Sequence, residues 1–290
     1  MRSKLFVPGV RPDLFGKALA SGADAISFDL EDAVPETRKA EARACVANFV
    51  CSPDAQHSGK LLIVRCNALA SPHFAADVQA LAGSGIALLN LPKPDSADEV
   101  RAAIACIERA ETACATSAHM DLLANIETPR ALRRAAEIAG AHPRVVGLQL
   151  GLGDLFEPAG IARRDAANVH ATMFTLRLAA LDAGVFAIDG AFTALDDPEG
   201  FEAEASMARR LGFIGKSCVH PRQVALANRV FRPTAAERAW AQRIVDGARE
   251  AAAQGRGVFV VDGRMIDPPF LKRAERVLAA ASVFPLTESE

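Results

Sequence analysis

The strongest constraint on this chain is a rhythm. Eight short apolar runs, at about 3–8, 25–30, 61–66, 86–91, 121–126, 145–150, 184–189 and 212–217, begin about 30 residues apart, the length of one strand-plus-helix unit. Alanine-rich helical stretches lie between them, among them ETRKAEARACVANFV, SADEVRAAIACIERAE and DAANVHATMFTLRLAALDAG. Several carry apolar residues at helical spacing and end in glycine, as helix stops do. Such alternation implies a parallel sheet. Eight units favour closure, so the predicted fold class is α/β, a (β/α)8 TIM barrel. No GxGxxG follows the first run, which removes the main support for an open dinucleotide-binding sheet.

The barrel is expected over residues 1–255, and residues 256–290 exceed what its last helix needs. A long helix is expected from about Thr234 to Gln254. VFVVDGRMID reads as a strand or hairpin turning at Asp262–Gly263, and 268–282 as a helix opened by prolines. Such a C-terminal extension fits a lid or oligomerisation arm; extra packing fits the composition equally well.

Composition narrows the function. Half the residues are hydrophobic and the net charge is −2, as in an ordinary globular protein. No Lys/Arg run forms a basic stripe, so no nucleic-acid partner is expected. In MRSKLFVPG, Pro8 and Gly9 interrupt the apolar run at once, unlike a signal peptide. No apolar stretch reaches the ~20 residues of a membrane span. The cysteines Cys45, Cys51, Cys66, Cys106, Cys114 and Cys218 form no CxxC pair. They are read as reduced core thiols, which implies a cytoplasmic setting. The chain has no tyrosine, which excludes any mechanism that needs a phenol.

The chemistry gathers at strand ends. In a (β/α)8 barrel, residues from the C-terminal ends of different strands converge on one face. Glu127 in NIETP and Asp154 in GLGDL close successive runs. Two hard oxygen ligands, completed by water and substrate, suit Mg²⁺. Each acid alternatively caps the helix that follows it. Arg65 ends IVRCN; its guanidinium fork fits a carboxylate, or a salt bridge to Glu31 or Asp32. Asp29, Glu31 and Asp32 form an acidic cluster at the second strand end. By alternation Asp29 and Glu31 share a face; facing inward, they need a cation or Arg65 nearby. A supporting role around the metal is the favoured reading. Lys93 and Lys216, placed at the ends of runs four and eight, are Schiff-base candidates or, preferably, neutralise the acids. His220 lies just past run eight and reads as a packing histidine more readily than as a base. No HxH or HExxH spacing supports a histidine zinc site.

These residues also resemble a family. RSKLFVPGVRPDLFGKAL, ADAISFDLEDAVPETRKAEAR, VRCNAL, LPKP, IETPRAL, LGLGDL and GKSCVHPRQV occur in the order found in the citrate lyase beta-subunit family, part of the HpcH/HpaI aldolase superfamily. The tail VVDGRMIDPPFLKRA is similar to the C-terminal segment of its malyl-CoA and citramalyl-CoA lyase relatives. The resemblance implies a barrel that cleaves or forms a carbon–carbon bond next to a thioester. It implies Mg²⁺ on Glu127 and Asp154, and a 2-oxoacid on Arg65. It places Pro8, Arg11 and Lys17 by a coenzyme A channel. Asp267, the aspartate of the Met-Ile-Asp motif, would reach a neighbouring subunit's site in a homotrimer or hexamer.

Cleaving a 3-hydroxyacyl thioester needs a metal for the alkoxide, a base for the hydroxyl proton and an acid for the thioester enolate. Glu127 and Asp154 supply the first, and Arg65, Glu31 and Asp32 surround it. Asp267 is an acid/base candidate; the hydroxyl base is not identified. Two other activities compete: a coenzyme A-independent 4-hydroxy-2-oxoacid aldolase, and a citrate lyase complex subunit acting on an acyl carrier protein thioester. Malate synthase or thioesterase activity is an expected side reaction of the same site.

Overall fold

In a computed structural model, residues 1–283 are described. Eight parallel strands form one sheet: β1 (Ser3–Pro8), β2 (Ala25–Asp29), β3 (Leu61–Arg65), β4 (Leu88–Leu91), β5 (Asp121–Ile126), β6 (Val145–Leu150), β7 (Phe186–Ile188) and β8 (Lys216–Cys218). Each of β1 to β6 pairs with the next in sequence, and β8 pairs with β1. The sheet closes beside β7, where Asp189 N–H donates to Gly215 O and Ser217 N–H donates to Asp189 O, each at 2.9 Å. This is the expected (β/α)8 barrel.

Strand alternation divides the side chains into two shells. Outward-facing Leu5, Val7, Ile26, Phe28, Val64, Leu89, Leu122, Ile126 and Leu148 join one large core with the surrounding helices. Inside, Ala25, Ile63 and Leu88 pack with Leu61, Val146 and Phe186 as an apolar plug. A polar layer lies in the same interior. Lys4 on β1 reaches Asn90 on β4 and Gln149 on β6, which are not its sheet neighbours. The C-terminal strand ends lie beyond that layer.

The eighth strand corrects the expectation at 212–217. Gly212, with φ 90°, ends the preceding helix Pro198–Leu211 in the left-handed region, as glycine does after a helix. Gly215 is pressed against the chain start; an added Cβ there would meet Met1 O at 2.4 Å and Arg2 O at 2.6 Å. The ladder with β1 begins only at Lys216, which opens β8 rather than ending it.

The fold divides into two compact units, Met1–Phe231 and the residues from Arg232 on. In the second unit, helix Ala235–Ala253 starts on a capping box between Thr234 and Glu237. It packs with a two-stranded hairpin, β9 (Phe259–Val261) and β10 (Arg264–Ile266), and with helix Pro268–Val283. Asp262 (φ 50°) and Gly263 (φ 77°) make the turn, the left-handed pair that a tight hairpin requires. The end of the expected extension, 284–290, lies outside the described residues. No described helix is long and apolar enough to cross a membrane. All six cysteines are free. Cys66 and Cys218 are buried, but Cys51 and Cys114 are exposed at helix ends, so the core-thiol reading does not hold for these two.

Candidate active site at the barrel mouth

Parallel register brings the first pair together. Asp29 ends β2 and Arg65 ends β3, and they are direct register partners. Arg65 Nε and Nη2 each donate to Asp29 at 2.7 Å, a bidentate fork. Asp29 also accepts from the backbone N–H groups of Glu31 and Ala33. Burial works against the Asp29 carboxylate, but Arg65 holds its pKa below the usual range. The third guanidinium nitrogen, Nη1, lies 2.9 Å from Glu31 and 3.3 Å from Asp32. Arg65 thus contacts all three acids of the cluster, with its fork on Asp29 rather than on Glu31 or Asp32.

Glu31 is the hinge of the mouth. It is buried between Arg65 Nη1 and Lys93 Nζ, both at 2.9 Å. Lys93 Nζ also lies 3.6 Å from Asp32 and 3.5 Å from Asp154. Burial opposes the ammonium, yet the Glu31 hydrogen bond and the surrounding acids raise its pKa. Lys93 has φ 53°, a costly region for a residue with a side chain. That backbone points its N–H at Glu127 Oε1, 2.9 Å away.

Glu127 follows β5 and is only 2 % exposed. Burial, then Glu31 and Asp154, push its pKa up to about 7. It is not a helix cap: Thr128 caps helix Pro129–Arg133 by accepting from Ala131 N–H. Gly151 makes room for it, since an added Cβ would meet Glu127 Oε2 at 2.5 Å. Asp154 lies in the first turn of helix Leu152–Phe156, whose N-cap is Gly151, and is half exposed. So Glu127 and Asp154 do share one mouth, with Lys93 contacting both.

None of the remaining candidates makes a side-chain hydrogen bond to this cluster, although Pro8 is the register partner of Asp29. Arg11 is exposed and forks onto Asp13 at 2.9 and 2.8 Å. Lys17 is exposed on helix Phe15–Leu19, and Pro8 closes β1. His220 caps helix Pro221–Val230, its Nδ1 accepting from Arg222 N–H. Lys216 does not neutralise the mouth; it faces outward and bonds Asp189 and Glu204. Asp267 belongs to the second unit, half-buried before helix Pro268–Val283, and its Oδ1 is buried without a hydrogen-bond partner.

Sequence reasoning passed over the layer beneath the mouth: Lys4, Asn90, Asn125 and Gln149. A usable signal exists. Each is a polar residue in a largely apolar strand, and Asn125 lies two residues before Glu127, hence on the same face one layer down.

The donor set fits a small hard cation. Both side chains offer only oxygen, and the raised proton affinity of Glu127 comes first from burial and then from the neighbouring Glu31 and Asp154 carboxylates. Among the described residues no group of three His, Cys, Asp or Glu side chains forms a metal cage, so water and substrate would complete the shell.

Fold and site together define a barrel enzyme with a carboxylate-lined mouth. Residues 2–221 match the profile of HpcH/HpaI aldolase/citrate lyase, and the chain belongs to that family. It is 35% identical to citrate lyase subunit beta of Leuconostoc mesenteroides subsp. cremoris, covering 100% of this chain and 96% of that one. It is 36% identical to (3S)-malyl-CoA thioesterase of Cereibacter sphaeroides, covering 97% and 94%. Among solved structures, CitE from Mycobacterium tuberculosis in complex with magnesium, acetoacetate and coenzyme A matches with a TM-score of 0.76 and 33% identity, over 97% of this chain and 100% of that one.

Proposed function

We propose that the protein is a Mg²⁺-dependent carbon–carbon lyase that cleaves, or forms, a 3-hydroxyacyl-CoA thioester, giving a 2-oxoacid or glyoxylate and an acyl-CoA. The observation that carries this reading is the convergence of Glu127 and Asp154 beside Arg65 and Lys93 at the barrel mouth. The magnesium, acetoacetate and coenzyme A bound by the mycobacterial relative support it.

Glu127 and Asp154 would hold the ion, which when bound supplies a Lewis acid for the substrate oxygens. Asp29 fixes the Arg65 plane, so Nη1 faces the mouth without reorganisation as charge develops on the oxoacid half. Glu31 and Asp32 hold Nη1 and Lys93 in place. In cleavage the bond between C2 and C3 breaks, the hydroxyl loses its proton, and C2 of the departing thioester gains one. Asp267 is proposed as the proton-transfer group, carried by a C-terminal segment that covers the site of a neighbouring subunit in a trimer or hexamer. Pro8, Arg11 and Lys17 would line the coenzyme A channel, Arg11 exchanging Asp13 for a phosphate. The free thiols support a cytoplasmic setting. The likeness to a malyl-CoA thioesterase supports thioester hydrolysis as a following step. The likeness to a citrate lyase beta subunit supports a second reading, a subunit that takes its thioester from an acyl carrier protein.

The test is thioester cleavage by the purified chain across a Mg²⁺ series. Glu127→Ala and Asp154→Ala should each abolish it while melting like the parent; retained activity at saturating Mg²⁺ would overturn the assignment. Activity on the carrier-protein thioester alone would favour the second reading. Mixing Asp267→Asn with Glu127→Ala protomers should restore part of the activity. A mixture that stays inactive while subunits exchange would reject the crossing segment.

A further inference from the structure

The interior beneath the mouth holds a lysine that the mechanism does not use. Lys4 is 0% exposed. Its Nζ donates to Asn90 Oδ1 at 3.3 Å and to Gln149 Oε1, and lies 4.1 Å from the centre of the Phe6 ring. Among the described residues it has no carboxylate partner. An ammonium sealed without a counter-ion is costly, so the fold keeps it against its own stability.

Its surroundings are made for a cation. The Asn90 amide cannot turn over, because its NH₂ donates to Leu123 O at 3.0 Å and to Asn125 Oδ1 at 2.7 Å; its oxygen must face Lys4. Burial, with Arg65 adding to it, draws the Lys4 pKa well down, and the Asp29 and Glu127 carboxylates of the mouth oppose this only in part; the two amide oxygens and the ring face around Nζ support the charge. Phe6 links the two levels: the Arg65 guanidinium lies 5.2 Å from the same ring. At the mouth five carboxylates, Asp29, Glu31, Asp32, Glu127 and Asp154, face two cations, Arg65 and Lys93. One divalent ion would still leave the acids in excess. An incoming oxoacid carboxylate meets that excess.

We propose that Lys4 is a positioning residue whose buried ammonium offsets the acidic mouth from below, favouring the anionic oxoacid and opposing the divalent cation. The oxoacid half of this rests on the lyase reading above; the cation half does not.

The test uses the full chain with Lys4→Met, which removes charge and polarity, and Lys4→Gln, which removes charge alone. Calorimetric titration with Mg²⁺, and then with pyruvate at saturating Mg²⁺, should move in opposite directions. In both variants Mg²⁺ should bind several-fold tighter and pyruvate roughly tenfold weaker, the scale of one screened charge acting through a layer of side chains. A merely structural role would weaken both ligands together, and that result overturns the proposal, as does unchanged binding of either. If Lys4→Met fails to fold, Lys4→Gln decides. If the parent takes up Mg²⁺ but no pyruvate, the lyase reading fails separately, and the Mg²⁺ titrations alone decide whether Lys4 bears charge on the site.

Discussion

Two charge clusters in the barrel unit invite comparison. One is the mouth, with five carboxylates around Arg65 and Lys93. The other lies between the sheet and helix Pro198–Leu211. There Lys216 Nζ bonds Asp189 Oδ2 at 2.5 Å, Glu204 Oε1 at 2.7 Å and Gly190 O at 3.1 Å. Arg163 meets the same Glu204 at 2.6 and 2.9 Å. This cluster has two acids and two bases, and Lys216 and Asp189 are fully sealed. Burial works against the ammonium, yet Asp189 and Glu204 hold its pKa above that of an ordinary lysine. In the mouth the acids outnumber the bases and Asp154 reaches solvent; burial raises a carboxyl in each cluster, Glu127 to about 7 and Asp189 to about 6, so the difference lies in balance and access. Balance with closure is what a structural network needs. Excess charge with access is what a ligand site needs. Both clusters are made of acids around one lysine and one arginine, so residue type alone does not separate them.

The largest effect that tests this contrast belongs to the sealed cluster. Lys216→Met leaves Asp189 and Glu204 buried together with one partner fewer. Stability should fall by about 3–5 kcal/mol, the cost of breaking a buried ion network. Urea unfolding measures it. A loss no larger than that of a surface substitution would show that the network is not what holds β8 to its helix.

Arg65 belongs to the mouth and should show a catalytic loss first. Arg65→Lys keeps the charge but gives up the fork on Asp29. Transition-state stabilisation should fall by about 2–4 kcal/mol, by analogy with loss of an oxyanion donor. The ratio of kcat/KM values reads it out. Normal kinetics with lowered stability would make Arg65 a structural ion pair and move the mouth toward the sealed class.

The contrast also marks what the sequence could tell. The barrel was legible because its signal is periodic: the runs at 3–8, 121–126 and 145–150 coincide with strands to the residue. Glu127, Asp154 and Arg65 were legible because a charged residue closing an apolar run has few places to point. Lys216 was misplaced for a local reason. Phe213 and Ile214 look like strand residues, but they lie between Gly212 and Gly215, and the ladder with β1 begins only at 216. Shifting a strand start reassigns every side chain to a layer and a face, which is how a sealed lysine resembled one at the mouth. The interior layer was illegible for another reason. Lys4, Asn90 and Gln149 come from strands far apart in sequence, and only barrel closure makes them neighbours.

The smallest expected effect concerns Lys93, the mouth's counterpart of Lys216. Its side chain is 33% exposed, and it bridges Glu31, Asp32 and Asp154 at 2.9, 3.6 and 3.5 Å. Solvent screens such a bridge, so Lys93→Met should cost about 1 kcal/mol or less, far below the loss at Lys216. Its backbone N–H would still donate to Glu127, and the fold around the site should persist. A cation that is cheap to remove can also be exchanged. Mg²⁺ approaching Asp154 must compete with the Lys93 ammonium, and in Lys93→Met that competition is absent. A ligand that binds only the folded state raises stability with its affinity, so added Mg²⁺ should lift the melting temperature of the variant more than that of the parent. Melting curves with and without Mg²⁺ decide the matter. An equal or smaller rise in the variant would mean that Lys93 is as fixed as Lys216, and that the mouth's positive charge is structural too.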